Sequence, residues 1–111
     1  MPVIKHEELQ AITPIPVMSM LEVMSMPPNE WLVEGQIPEK SVSAIYGPSG
    51  SGKTFLALDM MLSVAHDREW QGNYVREGAV VYIAGEGVSG LRKRLHAWHK
   101  HHQVNPDAPF F

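Results

Sequence analysis

Residues 47–54 read Gly-Pro-Ser-Gly-Ser-Gly-Lys-Thr and separate two apolar segments of different periodicity. Residues 41–46 alternate and are rich in β-branched and aromatic side chains, which predicts a strand. Lys53–Ala65 is a dense run of good helix formers, and we expect a helix that is buried on most of its circumference. The order strand, glycine-rich turn, helix constrains the fold more than any other feature of the chain.

The run 47–54 matches the pattern G-x-x-x-x-G-K-[ST], known as Walker A, at every fixed position. Glycines let backbone N–H groups approach phosphate oxygens, and the positive end of the following helix points at the same anion. Lys53 is expected to reach the β- and γ-phosphates, and the Thr54 hydroxyl to bind Mg²⁺. The sequence thus predicts a P-loop that binds ATP with Mg²⁺. The predicted nucleotide-binding residues are Gly47, Pro48, Ser49, Gly50, Ser51, Gly52, Lys53, Thr54 and Phe55.

A second strand is predicted at residues 79–84, followed by Gly85-Glu86-Gly87 and a helix over about residues 90–102 that Ser89 would cap. This order predicts an α/β fold with parallel strands and flanking helices. Loops after parallel strands meet at one sheet edge, so Glu86 would lie near the phosphates and could orient a water for in-line attack. The alternative for Glu86, a solvated loop carboxylate, carries equal weight on the residue alone.

The first 28 residues differ in composition from the rest, being rich in proline and methionine. We interpret residues 1–28 as an arm or linker and residues 29–111 as the folded domain. Residues 17–26 predict a short helix that the pair Pro27-Pro28 would stop. Its methionines suit packing, and a partner surface is the alternative.

The charge and composition exclude several classes of protein. The net charge of −3 argues against a surface that is wholly a nucleic-acid clamp, although it permits a local basic patch. There is no cysteine and hence no disulfide framework. Without a signal peptide or a bilayer-length apolar run, we expect a cytoplasmic protein with no membrane contact.

The chain resembles RecA-like ATPases of the plasmid RepA type, which are hexameric replicative helicases often grouped with AAA-family ATPases. The resemblance covers residues 31–102 and is carried by Trp31-Leu32-Val33-Glu34-Gly35, Ile37-Pro38, the P-loop with Phe55-Leu56-Ala57-Leu58-Asp59, the segment 78–87, and Leu91, Arg94, Leu95 and Trp98. It implies an ATP hydrolase that acts on DNA in replication, a ring of identical subunits for the intact protein, and Glu86 and Lys53 as catalytic residues.

The sequence departs from that family in one respect. The family has a later strand ending in an aspartate that holds the Mg²⁺ shell, whereas this sequence reaches Phe111 without one, and Asp107 lies in a proline-flanked tail. We therefore expect only part of the RecA-like sheet. The alternative function is a truncated, non-catalytic remnant that binds nucleotide or a partner. A different P-loop enzyme such as a small kinase would need an acceptor site and a lid, and neither is visible.

Histidines and basic residues are concentrated in the last predicted helix. A polar helix surface explains them most simply, and a nucleic-acid contact, a subunit contact or a zinc or nickel site are alternatives. Trp70 and Trp98 are interpreted as packing residues rather than platforms for bases. Arg94 packs or pairs with an acid. The residues in question are His96, His99, His101, His102, Arg92, Lys93, Arg94 and Lys100.

Overall fold

A computed structural model describes residues 3–85 and 87–111 of the chain. It contains four helices and a two-stranded sheet within those residues. In chain order they are α1 (His6–Ile12), α2 (Met20–Met24), β1 (Trp31–Val33), β2 (Ile37–Pro38), α3 (Lys53–Ala65) and α4 (Val88–His102). None of the helices in the described ranges combines the length and the apolar character needed to cross a bilayer.

The arm consists of two short exposed helices whose hydrogen bonds are local. The Gln10 side chain accepts from the Val17 N–H at 2.6 Å, and the His6 ring contacts the Val17 carbonyl. Ser19 caps α2, since its hydroxyl accepts from the Glu22 N–H at 3.2 Å while the Glu22 carboxylate accepts from the Ser19 N–H at 2.6 Å. These hydrogen bonds to Ser19 lower the pKa of Glu22. The capping box explains why the helix starts at Met20, later than predicted.

The core forms between α3 and the strand β1. β1 pairs with β2 in antiparallel fashion, and on its other side Val33 bridges Val75. Met60 and Val64 of α3 pack against these two valines, and all four side chains are buried. The helix α3 has the predicted bounds. Its buried residues begin at Leu58, and Phe55 and Leu56 near its start are exposed, so it is less buried than predicted.

The predicted parallel sheet is not present in the described residues. Neither residues 41–46 nor residues 79–84 form a strand, and Val42 and Tyr46 are 100% and 93% exposed. The reason is physical: alternation marks a segment that suits a pleated surface, but a strand exists only where a neighbour accepts its backbone hydrogen bonds. The two segments do not pair with each other here.

The segment around Val80 finds a partner in the C-terminal tail instead. Val80 and Phe110 form an isolated parallel bridge, in which the Val80 N–H donates to the Pro109 carbonyl and the Phe111 N–H to the Val80 carbonyl, both at 2.8 Å. The Tyr82 N–H donates to the Phe111 carbonyl at 2.7 Å. The proline-flanked tail, for which no pairing was predicted, therefore takes part in the only parallel pairing among the described residues.

The helix α4 begins earlier than predicted and is not capped by Ser89. Its N-cap is Gly87, which has a left-handed φ of 74°, and Ser89 lies within the first turn. A glycine adopts this conformation without the steric cost that a side chain would add, so the chain turns into the helix two residues before the expected cap.

Candidate functional site

The P-loop closes around the side chain of Lys53. The Lys53 Nζ donates a hydrogen bond to the Gly47 carbonyl at 2.7 Å, which joins the two ends of the loop. Between them, the Ser51 N–H donates to the Pro48 carbonyl at 3.2 Å and forms a turn. The ammonium group is thereby held within the loop, at the carbonyl of its first residue.

Two glycines give the loop a shape that other residues would strain. Gly50 and Gly52 have φ values of +78° and +90°. Gly47 has an ordinary φ but a close neighbour, since a Cβ there would lie 3.0 Å from the Ser51 hydroxyl oxygen. The loop therefore needs glycine at 50 and 52 for conformation, whereas a Cβ at 47 would only require the Ser51 hydroxyl to rotate.

The first turn of α3 presents unpaired backbone donors to the loop. Gly52 is the N-cap and offers no side-chain acceptor, and no acidic residue occurs in the first turn. The first intrahelical bond runs from the Leu56 N–H to the Gly52 carbonyl at 3.0 Å. The N–H groups before Leu56 have no acceptor within the helix, which is the arrangement that favours an anion.

A cavity of about 280 Å³ opens over these groups. Arg94 of α4 lines it from the opposite side, with its guanidinium 4.5 Å from the centre of the Phe55 ring. The described lining contains two cations, Lys53 and Arg94, and no carboxylate. The lining residues are Ser49, Gly50, Ser51, Gly52, Lys53, Thr54, Phe55 and Arg94.

This lining fits a nucleotide polyphosphate with Mg²⁺. Oxygen-rich anions are held by backbone N–H groups and by Lys and Arg side chains, and both kinds of donor converge here. Thr54 is half-buried at the cavity, which places a hydroxyl near the phosphates for a hard cation. Of the predicted nucleotide-binding residues, those from Ser49 to Phe55 line the cavity. Gly47 is joined to them by its carbonyl bond to Lys53, and Pro48 takes part in the internal turn. Glu86 lies outside the described residues.

The sequence predicted that Arg94 packs or pairs with an acid, and it gave no reason to place Arg94 at this cavity. In the structure, the guanidinium packs on the Phe55 ring. Its position depends on how α4 packs on α3, and the anchor of that packing is Asp59. The Asp59 carboxylate accepts from the Trp70 indole N–H and from the Trp98 indole N–H, each at 2.9 Å. The sequence feature that could have indicated this contact is Asp59, an acidic residue within the apolar sequence of α3. The packing interpretation of both tryptophans agrees with these contacts, although each also carries a polar bond.

Histidines extend the same α3–α4 joint. The His66 Nε2 and the His99 Nε2 are 3.0 Å apart, and His66 stacks on Trp98 with ring centres 5.2 Å apart. Burial lowers the pKa of His66 first, with His99, Arg68 and His102 adding to the effect. Burial likewise is the main cause that lowers the pKa of His102, where Asp59 acts in the opposite direction. The joint therefore favours the neutral forms of His66 and His102.

A metal site in the histidine-rich helix receives no support from the geometry. Over residues 3–85 and 87–111, no group of three or more His, Asp or Glu side chains is arranged to hold a metal ion. His96 is exposed, whereas His99 and His102 are half-buried against α3. The three do not act as one ligand face.

The match to a known protein family covers nearly the whole chain. No solved structure matches the chain. A family model described as an AAA domain matches residues 7–111, which includes most of the arm, the P-loop and α4. ATPase domains of this kind generally bind ATP with Mg²⁺. With almost its whole length matched, the chain belongs to the AAA domain family of ATPases.

Proposed function

We propose that the P-loop of this chain binds ATP with Mg²⁺, and that the chain is the nucleotide-binding portion of a RecA-like ATPase of the RepA helicase type that acts in DNA replication or recombination. The observation that carries the proposal is the Lys53 ammonium, held within the loop at 2.7 Å from the Gly47 carbonyl. Its cavity is lined by cations and backbone donors and by no described carboxylate. AAA family membership supports the nucleotide.

Each residue of the cavity has a role in this proposal. The N–H groups of the loop and of the first turn of α3 hold the phosphate oxygens, and Lys53 exchanges its bond to Gly47 for the β- and γ-phosphates. The Thr54 hydroxyl holds Mg²⁺, which neutralises charge on the phosphates when bound. Arg94 adds a second cation from the α4 side.

Hydrolysis is the further part of the proposal and depends on Glu86. Following the family resemblance, Glu86 orients the attacking water, and the intact protein forms a ring of identical subunits on DNA in the cytoplasm. The alternative is a chain that binds nucleotide without turnover. It is favoured by the two extended segments that remain unpaired with each other, since a RecA-like site is built on neighbouring parallel strands.

Removing the Lys53 charge tests the nucleotide site. We expect Lys53→Ala to lose about 1.5–3 kcal/mol of Mg-ATP binding, the value of a hydrogen bond to a charged group. That is roughly a ten- to hundred-fold increase in the Kd measured by titration calorimetry. Lys93→Ala is the matched control, because Lys93 is exposed on α4 and does not line the cavity. Equal affinity of Lys53→Ala and the parent protein would refute the site.

Turnover separates the two forms of the proposal. If Glu86 activates water, the unsubstituted protein releases phosphate from ATP, whereas the Glu86→Gln variant binds Mg-ATP with the same affinity but releases no phosphate. If the chain binds Mg-ATP with no phosphate release at all, the non-catalytic alternative holds.

A further inference from the structure

The helix α4 is the most basic element of the chain. It holds Arg92, Lys93, Arg94 and Lys100, four of the nine Lys and Arg residues, although the chain as a whole has a net charge of −3. No Asp or Glu occurs between residues 87 and 106. A positive potential is therefore concentrated on one helix.

The helix α4 has an inner side that contacts the rest of the protein and an outer side that is exposed. Among its permanent cations, only Arg94 is half-buried, and it lines the P-loop cavity. Leu91, Leu95 and Trp98 are half-buried and Trp98 is bonded to Asp59 of α3, so these residues form the inner side. On the outer side, the exposed residues Arg92, His96 and Lys100 follow at a spacing of four, which places them in one row along the helix. The exposed Lys93 lies beside that row, three residues before His96. We call the row together with Lys93 the basic stripe; it consists of Arg92, Lys93, His96 and Lys100.

The basic stripe borders an apolar groove of about 680 Å³. Arg92, His96 and Lys100 form one rim, and His66 and His99 also line the groove. The rest of the lining is apolar, and none of the described residues that line the groove is acidic. Phe110 from the C-terminal tail offers an aromatic ring within it. The floor and far side are formed mainly by Leu62, Leu91, Leu95, Val104, Ala108 and Phe110.

We propose that this groove binds single-stranded nucleic acid, with the phosphate backbone along the basic stripe and bases against the apolar floor. Cationic grooves with aromatic side chains are the usual platform for single strands. Arg92 and Lys100 are eight residues apart on α4, so the stripe is about 12 Å long. A stripe of that length can follow a few consecutive phosphates of a single strand.

A membrane surface fits the same helix poorly. Helices that lie on bilayers expose an apolar face next to their basic face, whereas the large apolar residues in the middle of α4 face α3 and the groove. Duplex nucleic acid fits poorly as well, because paired bases cannot enter an apolar groove.

Binding of a single strand at the basic stripe extends the proposed role in DNA replication or recombination. The choice of DNA as the probe rests on that proposed role. None of the stripe residues lines the P-loop cavity. Loss of one activity therefore does not remove the other, and the two proposals fail separately.

The test measures binding of a fluorescent oligo-dT single strand by anisotropy across a salt series. With three permanent cations in contact, the slope of log K against log[salt] should be about −2, and Arg92→Gln/Lys100→Gln should reduce it to about −0.7. The control Lys5→Gln/Lys40→Gln lowers the net charge by the same two units at exposed sites outside α4. It should bind as the parent does.

Several outcomes would overturn the proposal. These are no binding of the single strand at low salt, an unchanged slope in the stripe variant, or equal losses in the stripe variant and the control. Tighter binding of a duplex of the same length would contradict the role of the groove. Binding to vesicles of anionic lipid at similar strength would identify a membrane surface instead. Circular dichroism of both variants verifies the fold, and the exposed positions make a folding defect unexpected.

Discussion

The backbone conformation of one residue, Gly52, governs both the shape of the P-loop and the start of α3. Its φ of +90° lies in the region open mainly to glycine. The carbonyl of the same residue accepts the first hydrogen bond of α3, from the Leu56 N–H at 3.0 Å. A side chain at position 52 would therefore strain the point at which the anion cradle and the helix meet.

Replacing Gly52 with alanine tests the conformation of the loop without changing any charge. Gly52→Ala should lower the free energy of unfolding by about 1–2 kcal/mol, the cost of a left-handed conformation for a residue with a Cβ. Mg-ATP affinity should fall as well, since the N–H groups of the first turn move. Gly78→Ala is the control, because Gly78 has no positive φ and space for a Cβ. Urea unfolding measures the loss of stability, and titration calorimetry measures the loss of Mg-ATP affinity. Full Mg-ATP affinity in Gly52→Ala would contradict the role of the Gly52 conformation in binding.

The joint between α3 and α4 connects the core to both proposed sites. Asp59 holds Trp70 and Trp98 at 2.9 Å each, and α4 in turn places Arg94 at the P-loop cavity and the basic stripe on the outer surface. Because neutral His66 and His102 pack within this joint, its strength depends on pH.

Acidification should weaken the joint. The folded-state pKa values of His66 and His102 lie below the ordinary value of 6.5, so the unfolded chain binds protons more readily. The stability contributed by the neutral imidazoles is complete above 6.5 and is lost as pH falls through the lowered values. Urea midpoints measured between about pH 8 and about pH 5 should fall toward acid.

A variant lacking both titrating groups provides the comparison. His66→Gln/His102→Gln should show a flatter pH dependence than the parent protein, while His96→Gln at an exposed position of α4 should keep the parent's dependence. Midpoints that rise on acidification, or an identical slope in the double variant, would show that these two histidines do not control the joint.

At the scale of the whole molecule, the core is small and apolar surface is left exposed. The buried apolar residues come from β1, the second half of α3 and Val75. Two extended segments with strand-like sequences lie on the surface, where Ile83 is 90% exposed. Extended segments that expose apolar side chains outside a sheet favour association of copies, which proteins normally prevent with charges.

A charge placed on one of these segments should reduce such association. We expect the parent chain to self-associate as its concentration rises, and Ile83→Lys to shift sedimentation velocity profiles toward the monomer. Val3→Lys is matched in charge and changes an exposed apolar residue of the arm instead. If Ile83→Lys and Val3→Lys have the same effect, net charge rather than the extended segment controls association.

The sequence alone was sufficient for the features that depend on near neighbours. The bounds of α3 follow from the glycines before Lys53 and the helix formers after it, and the loop itself follows from spacing within eight residues. The closure of the loop by Lys53 and Gly47 spans only six positions. Helix periodicity and turn chemistry are local, so they can be read along the chain.

Only the tertiary structure decided which distant segments meet. Alternation at residues 41–46 and 79–84 suited strands, but pairing needed partners. Val80 pairs with Phe110, while residues 41–46 have no strand partner in the part of the chain that the structure describes. Arg94 reached the P-loop cavity because Asp59 bonds Trp98, 39 positions away. A backbone or side-chain donor is satisfied by whichever acceptor the folded chain brings to it, and local residue preferences do not specify that acceptor.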